Sequence, residues 1–271
     1  MLIEKNECPN CSKRYEQLLE ICPNCHEKNQ FYQPLKDKSQ LTWLPILRQA
    51  LLFIIGFIGF TILNYIVVYS LKACGVTDVT VLSAQTTFIS YLVLFVCLLI
   101  VVYPYIPELS LKMKKAKPYL VGLLGGFALV VFSITYSNII NLFYPMGDNE
   151  NQKAAVKIIL DYPFASIMIV GFLGPICEEL TYRLGLFTLS RRWNRIAAYI
   201  ISVLVFALIH FSFTSTDIIN ELLNLPSYLF CGLCLAFLYD KYGLVCAIES
   251  HMINNLYSVV VILIANSLGA L

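Results

Sequence analysis

The stretch Ser166-Ile-Met-Ile-Val-Gly-Phe-Leu-Gly-Pro-Ile-Cys-Glu-Glu-Leu-Thr-Tyr-Arg-Leu-Gly-Leu-Phe187 decides how this chain is read. It is long and apolar enough to cross a bilayer, yet Glu178, Glu179 and Arg183 lie inside it. Ionisable groups at membrane depth are costly and mark functional sites. On a helix Glu179 and Arg183 stand four residues apart, acid first, so they meet on one face and neutralise each other. Glu178 lies about 100° round the helix, on the stripe of Tyr182, and stays available to hold a water or a metal. A structural ion pair accounts for Glu179 and Arg183 but leaves Glu178 unexplained. Pro175 removes one backbone donor, which predicts a local kink of the kind that suits a cavity.

Composition extends this reading to the whole chain. Hydrophobic residues make up 58% of the 271 residues, and charge is sparse after Arg48. The expected fold is therefore an all-α polytopic membrane protein of seven to eight transmembrane helices with a small polar N-terminal appendage. Spanning segments are expected near 47–71, 81–103, 119–141, 163–189, 196–214, 226–240 and 243–268. The penultimate segment is short and the last is long, which leaves open a description that breaks the last near Ser250. Residues 148–161 have a helical pattern that suits an interfacial helix, with a substrate lid as one use for it. No internal repeat is visible, and no cleavable signal peptide is expected, because polar residues precede a first apolar run long enough to span.

Positive charge sets the expected orientation. Lys36, Lys38, Arg48, Lys112, Lys114, Lys115, Lys117, Arg191, Arg192, Arg195 and Lys241 all fall on one side of the predicted spans. The other side carries Lys72, Lys153 and Lys157 beside Asp78, Asp148, Glu150, Asp161, Asp217 and Glu221. The N-terminus is therefore expected in the cytoplasm of a multi-pass cell-membrane protein. The Lys112 to Lys117 cluster reads as a topogenic, lipid-facing loop and not as a nucleic-acid surface.

Two further polar pairs sit in apolar helices. Phe206 shares a face with His210, and His251 shares one with Asn255. A lone histidine on an apolar helix is usually a satisfied core residue. Counted from the cytoplasmic helix ends, however, Glu178 lies roughly 16 Å deep, His210 roughly 21 Å, His251 roughly 12 Å and Asn255 roughly 18 Å. The four can meet in one layer. There a carboxylate and an imidazole can activate water, while an imidazole and an amide can stabilise an oxyanion. Glu249, two positions from His251, points to nearly the opposite face, so pairing with Lys241 or interfacial exposure is expected.

The N-terminus carries separate chemistry. Cys8-Pro-Asn-Cys11 and Cys22-Pro-Asn-Cys25 are two Cys-x-x-Cys pairs whose four thiolates suit a closed tetrahedral Zn²⁺ site. A reducing cytoplasm favours metal-bound thiolates over disulfides. A redox dithiol is the competing reading, but two mirrored pairs are better explained as one site. His26 reads as exposed and not a ligand. The boundaries are expected at 1–30 for a zinc ribbon, 31–46 for a linker and 47–271 for the membrane domain. Cys74, Cys97, Cys177, Cys231, Cys234 and Cys246 read as small packing residues.

Pro175-Ile-Cys-Glu178-Glu179-Leu-Thr-Tyr-Arg183, Phe206-Ala-Leu-Ile-His210 and His251-Met-Ile-Asn-Asn255 resemble, in order, the three motifs of the CAAX protease and bacteriocin-processing family of intramembrane proteases. The similarity covers about residues 119–268. It implies peptide-bond hydrolysis within the bilayer, with Glu178 as the base that activates water, His210 as its partner, and His251 with Asn255 as oxyanion stabilisers. Glu179 and Arg183 support them. A metal-free glutamate mechanism is favoured over zinc catalysis, since Asn is an uncommon zinc ligand and Glu179 is occupied by Arg183. Leu184 stands where many relatives have Gly, which alters helix packing and leaves each proposed catalytic position filled.

The expected substrate is a membrane-embedded peptide or protein segment, with the zinc ribbon available to a protein partner. Prenylated C-termini are raised by the resemblance alone. Two other classes compete: a silent membrane peptide-binding or immunity protein of the same fold, and a transporter that relays protons through the buried acids. The filled motifs favour the protease.

Overall fold

Inside a bilayer the backbone must satisfy its own hydrogen bonds, so each apolar run of this chain is obliged to coil. The computed structural model describes residues 5–16, 19, 21–30, 32, 41–42 and 44–270. Among them are eight helices: α1 Ile46–Ala73, α2 Val79–Ser110, α3 Ala116–Asn141, α4 Glu150–Asp161, α5 Pro163–Arg191, α6 Arg195–Leu208, α7 Ile218–Tyr242 and α8 Leu244–Ser267. Six of these, all but α4 and α6, are long and apolar enough to cross a membrane. The expected linker lies mostly outside the described residues.

One expected boundary needs correction, and one open alternative is decided. The penultimate span is not short: α7 begins at Ile218, eight residues before Pro226, and carries that proline inside it. The last span is one unbroken helix through Ser250. The short element is α6, with 14 residues. It rises only about 21 Å. His210 follows its end directly, so the chain turns at the level where the polar residues gather.

Local sequence explains several helix ends. Asp78, Asn194 and Asp217 accept backbone N–H groups at the starts of α2, α6 and α7. Asn149 and Gln152 form a reciprocal capping box at the start of α4. Gly243 joins α7 to α8 at φ 93°, a left-handed conformation that glycine adopts without penalty.

Packing then fixes the interior. Leu52, Leu94, Leu98, Cys177, Leu180, Leu184 and Phe187 form the main buried cluster. A second cluster of Leu129, Tyr182, Leu186, Phe206 and Leu235 sits beside the polar site. Close approach of α3 and α8 depends on small residues: a Cβ at Gly126 would lie 2.6 Å from Ile253. Gly122 meets Glu249 in the same way, 2.3 Å from Oε2. The expected pairing of Glu249 with Lys241 is thus not formed. Its Oε2 is buried against α3 and accepts no hydrogen bond among the described residues.

The ribbon begins with an antiparallel hairpin, β1 Lys5–Glu7 and β2 Arg14–Glu16, in which Asn6 faces Tyr15. Its two Cys-Pro-Asn-Cys turns have matching bonds. Cys8 N–H donates to Lys13 and Cys22 N–H to Glu27, while Ser12 and His26 N–H donate back to Cys8 and Cys22. Ser12 (φ 53°) and His26 (φ 59°) both occupy the left-handed region, and His26 is exposed as a turn residue.

Candidate active site

Helix α5 is where the site is built, and it is not a regular α-helix. Three segments bordering the site have the wider π spacing: Ile55–Gly59 in α1, and Ile167–Leu173 and Glu179–Phe187 in α5. Such bulges recur at functional sites. The first α5 bulge lies just before Pro175, where the ring forbids the normal bond to the preceding turn, so the irregularity expected at this proline takes the form of a π segment. In the bulge of α1, Gly56 leaves room for the Thr181 side chain of α5: a Cβ there would lie 1.8 Å from Thr181 Oγ1.

A cavity of about 570 Å³ opens between α1, α2, α5 and the segment after α6. Glu178, Tyr182 and His210 line it together with Tyr91, Thr181 and Asn151. Phe57, Phe60, Ile62 and Leu94 supply apolar wall. Glu178 Oε2 is buried and accepts no hydrogen bond among the described residues.

Behind Glu178 lies a charged cluster. Arg183 Nη1 is 3.2 Å from Glu179 Oε1, with both side chains fully buried. His251 Nδ1 is 2.9 Å from the same oxygen. On its other side His251 Nε2 is 3.8 Å from Glu178 Oε2. Glu179 therefore holds Arg183, as the spacing required, and also His251, which the spacing did not show. His251 thus lies between the two adjacent carboxylates, hydrogen-bonded to Glu179 and close to Glu178 without a bond to it. Arg183 Nη2 donates to the Gly232 carbonyl at 3.3 Å, and its guanidinium lies 4.3 Å above the Phe206 ring. Phe206 is the apolar plate shared by Tyr182, His210 and His251.

His210 Nδ1 is 2.8 Å from the Phe206 carbonyl. A carbonyl can only accept, so Nδ1 carries the proton, and in the neutral ring Nε2 is the basic nitrogen left for the cavity. Asn255 stands apart from these three: its Nδ2 donates to Val170 O at 3.0 Å, a carbonyl within the first α5 bulge. The structure thus brings Glu178, Glu179, Arg183, His210 and His251 together and places Asn255 against their supporting backbone.

Sequence reasoning passed over the residues that close the site. Asn149 Nδ2 donates to the His210 carbonyl at 3.0 Å. Glu221, buried at the start of α7, accepts from Ser212 N–H and Glu150 N–H at 2.9 and 2.8 Å. Helix α4, expected as an interfacial helix, is tied through these bonds to the histidine segment and brings Asn151 to the cavity. The Asn149-x-x-Gln152 capping signature could have located the start of α4; nothing local signalled its partner.

In the ribbon the four thiol sulfurs lie within 4.8 Å of one another. Cys8 and Cys25 Sγ are 3.4 Å apart and Cys11 and Cys22 Sγ 3.7 Å. A tetrahedron with Zn–S bonds of about 2.3 Å has edges of about 3.8 Å, so the donor set fits zinc. A hydrogen bond from the Lys13 backbone lowers the Cys11 thiol to about 6, which prepares one thiolate at neutral pH. Among the described residues this is the one cluster of three or more His, Cys, Asp or Glu ligands gathered so closely.

Comparison with known proteins adds a family likeness for part of the chain. Residues 161–257 match the family described as type II CAAX prenyl endopeptidase Rce1-like, a span that contains all three motifs. An uncharacterized protein of Mycoplasma capricolum subsp. capricolum is 31% identical over 185 residues, 61% of this chain and 53% of that protein. The UPF0177 protein YvdC of Lactococcus lactis subsp. lactis is 27% identical over 161 residues, 59% of this chain and 58% of that one. The matched part of the chain thus spans somewhat over half the length of these curated relatives. No solved structure matches the chain.

Proposed function

We propose, for a membrane protein whose residues 161–257 match the type II CAAX prenyl endopeptidase Rce1-like family, that it is an intramembrane endopeptidase working by glutamate-activated water. The observation that carries this reading is the half-buried Glu178 carboxylate, whose Oε2 is buried and has no hydrogen-bond partner among the described residues, in a cavity it shares with His210.

A water held between Glu178 and His210 Nε2 loses a proton to Glu178 as its oxygen attacks the scissile carbonyl. The carbonyl oxygen becomes an oxyanion, and His251, placed between the two carboxylates, is the side chain assigned to stabilise it by hydrogen bonding. Asn255 contributes either by steadying the α5 bulge through Val170 or by turning its amide to the oxyanion. Collapse of the intermediate breaks the C–N bond, and the proton taken by Glu178 passes to the leaving amine. Arg183 pairs with Glu179 and offsets its charge beside Glu178.

The apolar walls suit a substrate with bulky apolar side chains beside the scissile bond, drawn from membrane-associated peptides or proteins. Zinc in the ribbon is structural, holds the N-terminal fold together and leaves that surface free for a protein partner. The excess of Lys and Arg on the ribbon's side supports a cytoplasmic N-terminus.

Comparing membrane peptides from cells that carry the wild-type protein or Glu178→Gln tests the assignment. A peptide processed only by the wild type is the expected result. Identical processing by both proteins would leave a binding or immunity protein of the same fold.

A further inference from the structure

A general acid or base acts only while its ring is held in place, and His210 lies just beyond the end of α6, held on the backbone by a single turn bond from its N–H to the Ala207 carbonyl at 3.2 Å. Its backbone is held by Asn149, and its Nδ1 by Phe206. The remaining freedom is rotation and tilt of the ring, and that is limited by Tyr228 of α7. The Tyr228 ring lies on the imidazole face with centroids 4.6 Å apart and planes 19° from parallel. Its hydroxyl is 3.2 Å from Asn151 Nδ2 and 3.4 Å from Asn149 Oδ1.

The same two asparagines therefore join three things. Asn149 holds the His210 carbonyl and the start of α4, Asn151 reaches the cavity, and both meet the Tyr228 hydroxyl. A phenol placed only for packing needs no polar partners from a separate segment. Here its two ends serve different neighbours, the ring the histidine and the hydroxyl the covering helix.

We infer that Tyr228 is a positioning residue for His210: it stacks on the imidazole and keeps Nε2 turned to the cavity, and its hydroxyl links that posture to helix α4. The inference takes the His210 role from the proposed protease reading, although the stacking itself can be measured without any substrate.

Diethyl pyrocarbonate acylates neutral imidazole, and mass spectrometry reads each of His26, His210 and His251 separately in the full-length protein in nanodiscs. Tyr228→Ala should raise the His210 acylation rate roughly fivefold, the factor that corresponds to an ordinary aromatic pair. Tyr228→Phe, which keeps the stack, should stay close to wild type, with His251 constant throughout as a control on folding. An unchanged His210 rate in Tyr228→Ala would overturn the inference, and so would His210 and His251 rising together, which would mean that the bundle had loosened generally. With a cleaved peptide in hand, Tyr228→Ala should lower kcat more than it raises KM, and Tyr228→Phe should recover most of the loss. Altered acylation in a protein that cleaves nothing would keep the positioning contact and reject the protease reading.

Discussion

The ribbon and the membrane site both gather buried or half-buried ionisable groups, but they do so by opposite means. In the ribbon four cysteines between residues 8 and 25 meet through two copies of one turn, with the same backbone bonds and the same left-handed residue after the second cysteine. In the membrane site Glu178, His210 and His251 come from α5, the segment after α6, and α8, and they meet because whole helices are packed. A short polar segment buries too little apolar surface to fold alone, which is why a metal on the four gathered thiols is proposed to hold it together. The membrane site has no such local source of energy, and its geometry depends on the bundle.

Cutting the ribbon's ligands should therefore separate the regions most completely. Cys8→Ser with Cys11→Ser should abolish metal binding, a loss on the order of 10 kcal/mol of apparent binding energy, and leave thermal unfolding of the membrane domain unchanged. Elemental analysis beside a melting curve reads both. A membrane domain that melts earlier without metal would show the two regions to be coupled, and zinc that remains bound and is needed for cleavage would move metal into the catalytic site.

Glu179→Ala should have the next largest effect, because it strands a fully buried guanidinium and removes the partner of His251 Nδ1 together. A loss of about 3–5 kcal/mol is expected, read as a lower unfolding midpoint in detergent. An unchanged midpoint with lost activity would recast Glu179 as a participant in the chemistry. Glu178→Gln should do the reverse, keeping the midpoint while turnover falls by roughly a hundredfold or more. Turnover at the wild-type rate would remove the proposed base.

The contact between α1 and α5 can be probed by Gly56→Ala, whose methyl would collide with Thr181. A cost of about 1–3 kcal/mol is expected from overpacking, with a smaller cost in the double variant that also carries Thr181→Ala. The smallest effect belongs to the ribbon. His26→Gly relieves a left-handed residue and should change metal affinity by less than about tenfold, whereas a His26 ligand would make the loss far larger. A zinc competition titration distinguishes the two.

Much of the fold was legible because lipid leaves the chain few choices. Six of the expected spans became long helices near their expected positions, since a run of about 20 apolar residues has no other way to satisfy its backbone. The two expectations that failed, the start of α7 and the partner of Glu249, failed for long-range reasons. Asn220, Glu221 and Asn224 made the start of α7 read as loop, yet they are spent on Gly147, Ser212 and Glu150, contacts that no window along the chain contains. Glu249 looked like a surface partner for Lys241 because nothing before Gly122 in the sequence announces that α3 will come so close.

For the site the division is equally physical. Sequence alone determined which groups were too costly to bury without purpose, the pairing of Glu179 with Arg183 four residues along a helix, and the four-thiol ligand set with its spacing. Only the tertiary structure decided that His251 reaches both carboxylates, that Asn255 bonds the Val170 carbonyl in the α5 bulge, and that Tyr228 lies on the ring of His210. Bonds within a turn or two follow from helix geometry and are written in the spacing of residues. Contacts across helices follow from rotation, depth and π bulges, which the packed bundle sets as a whole.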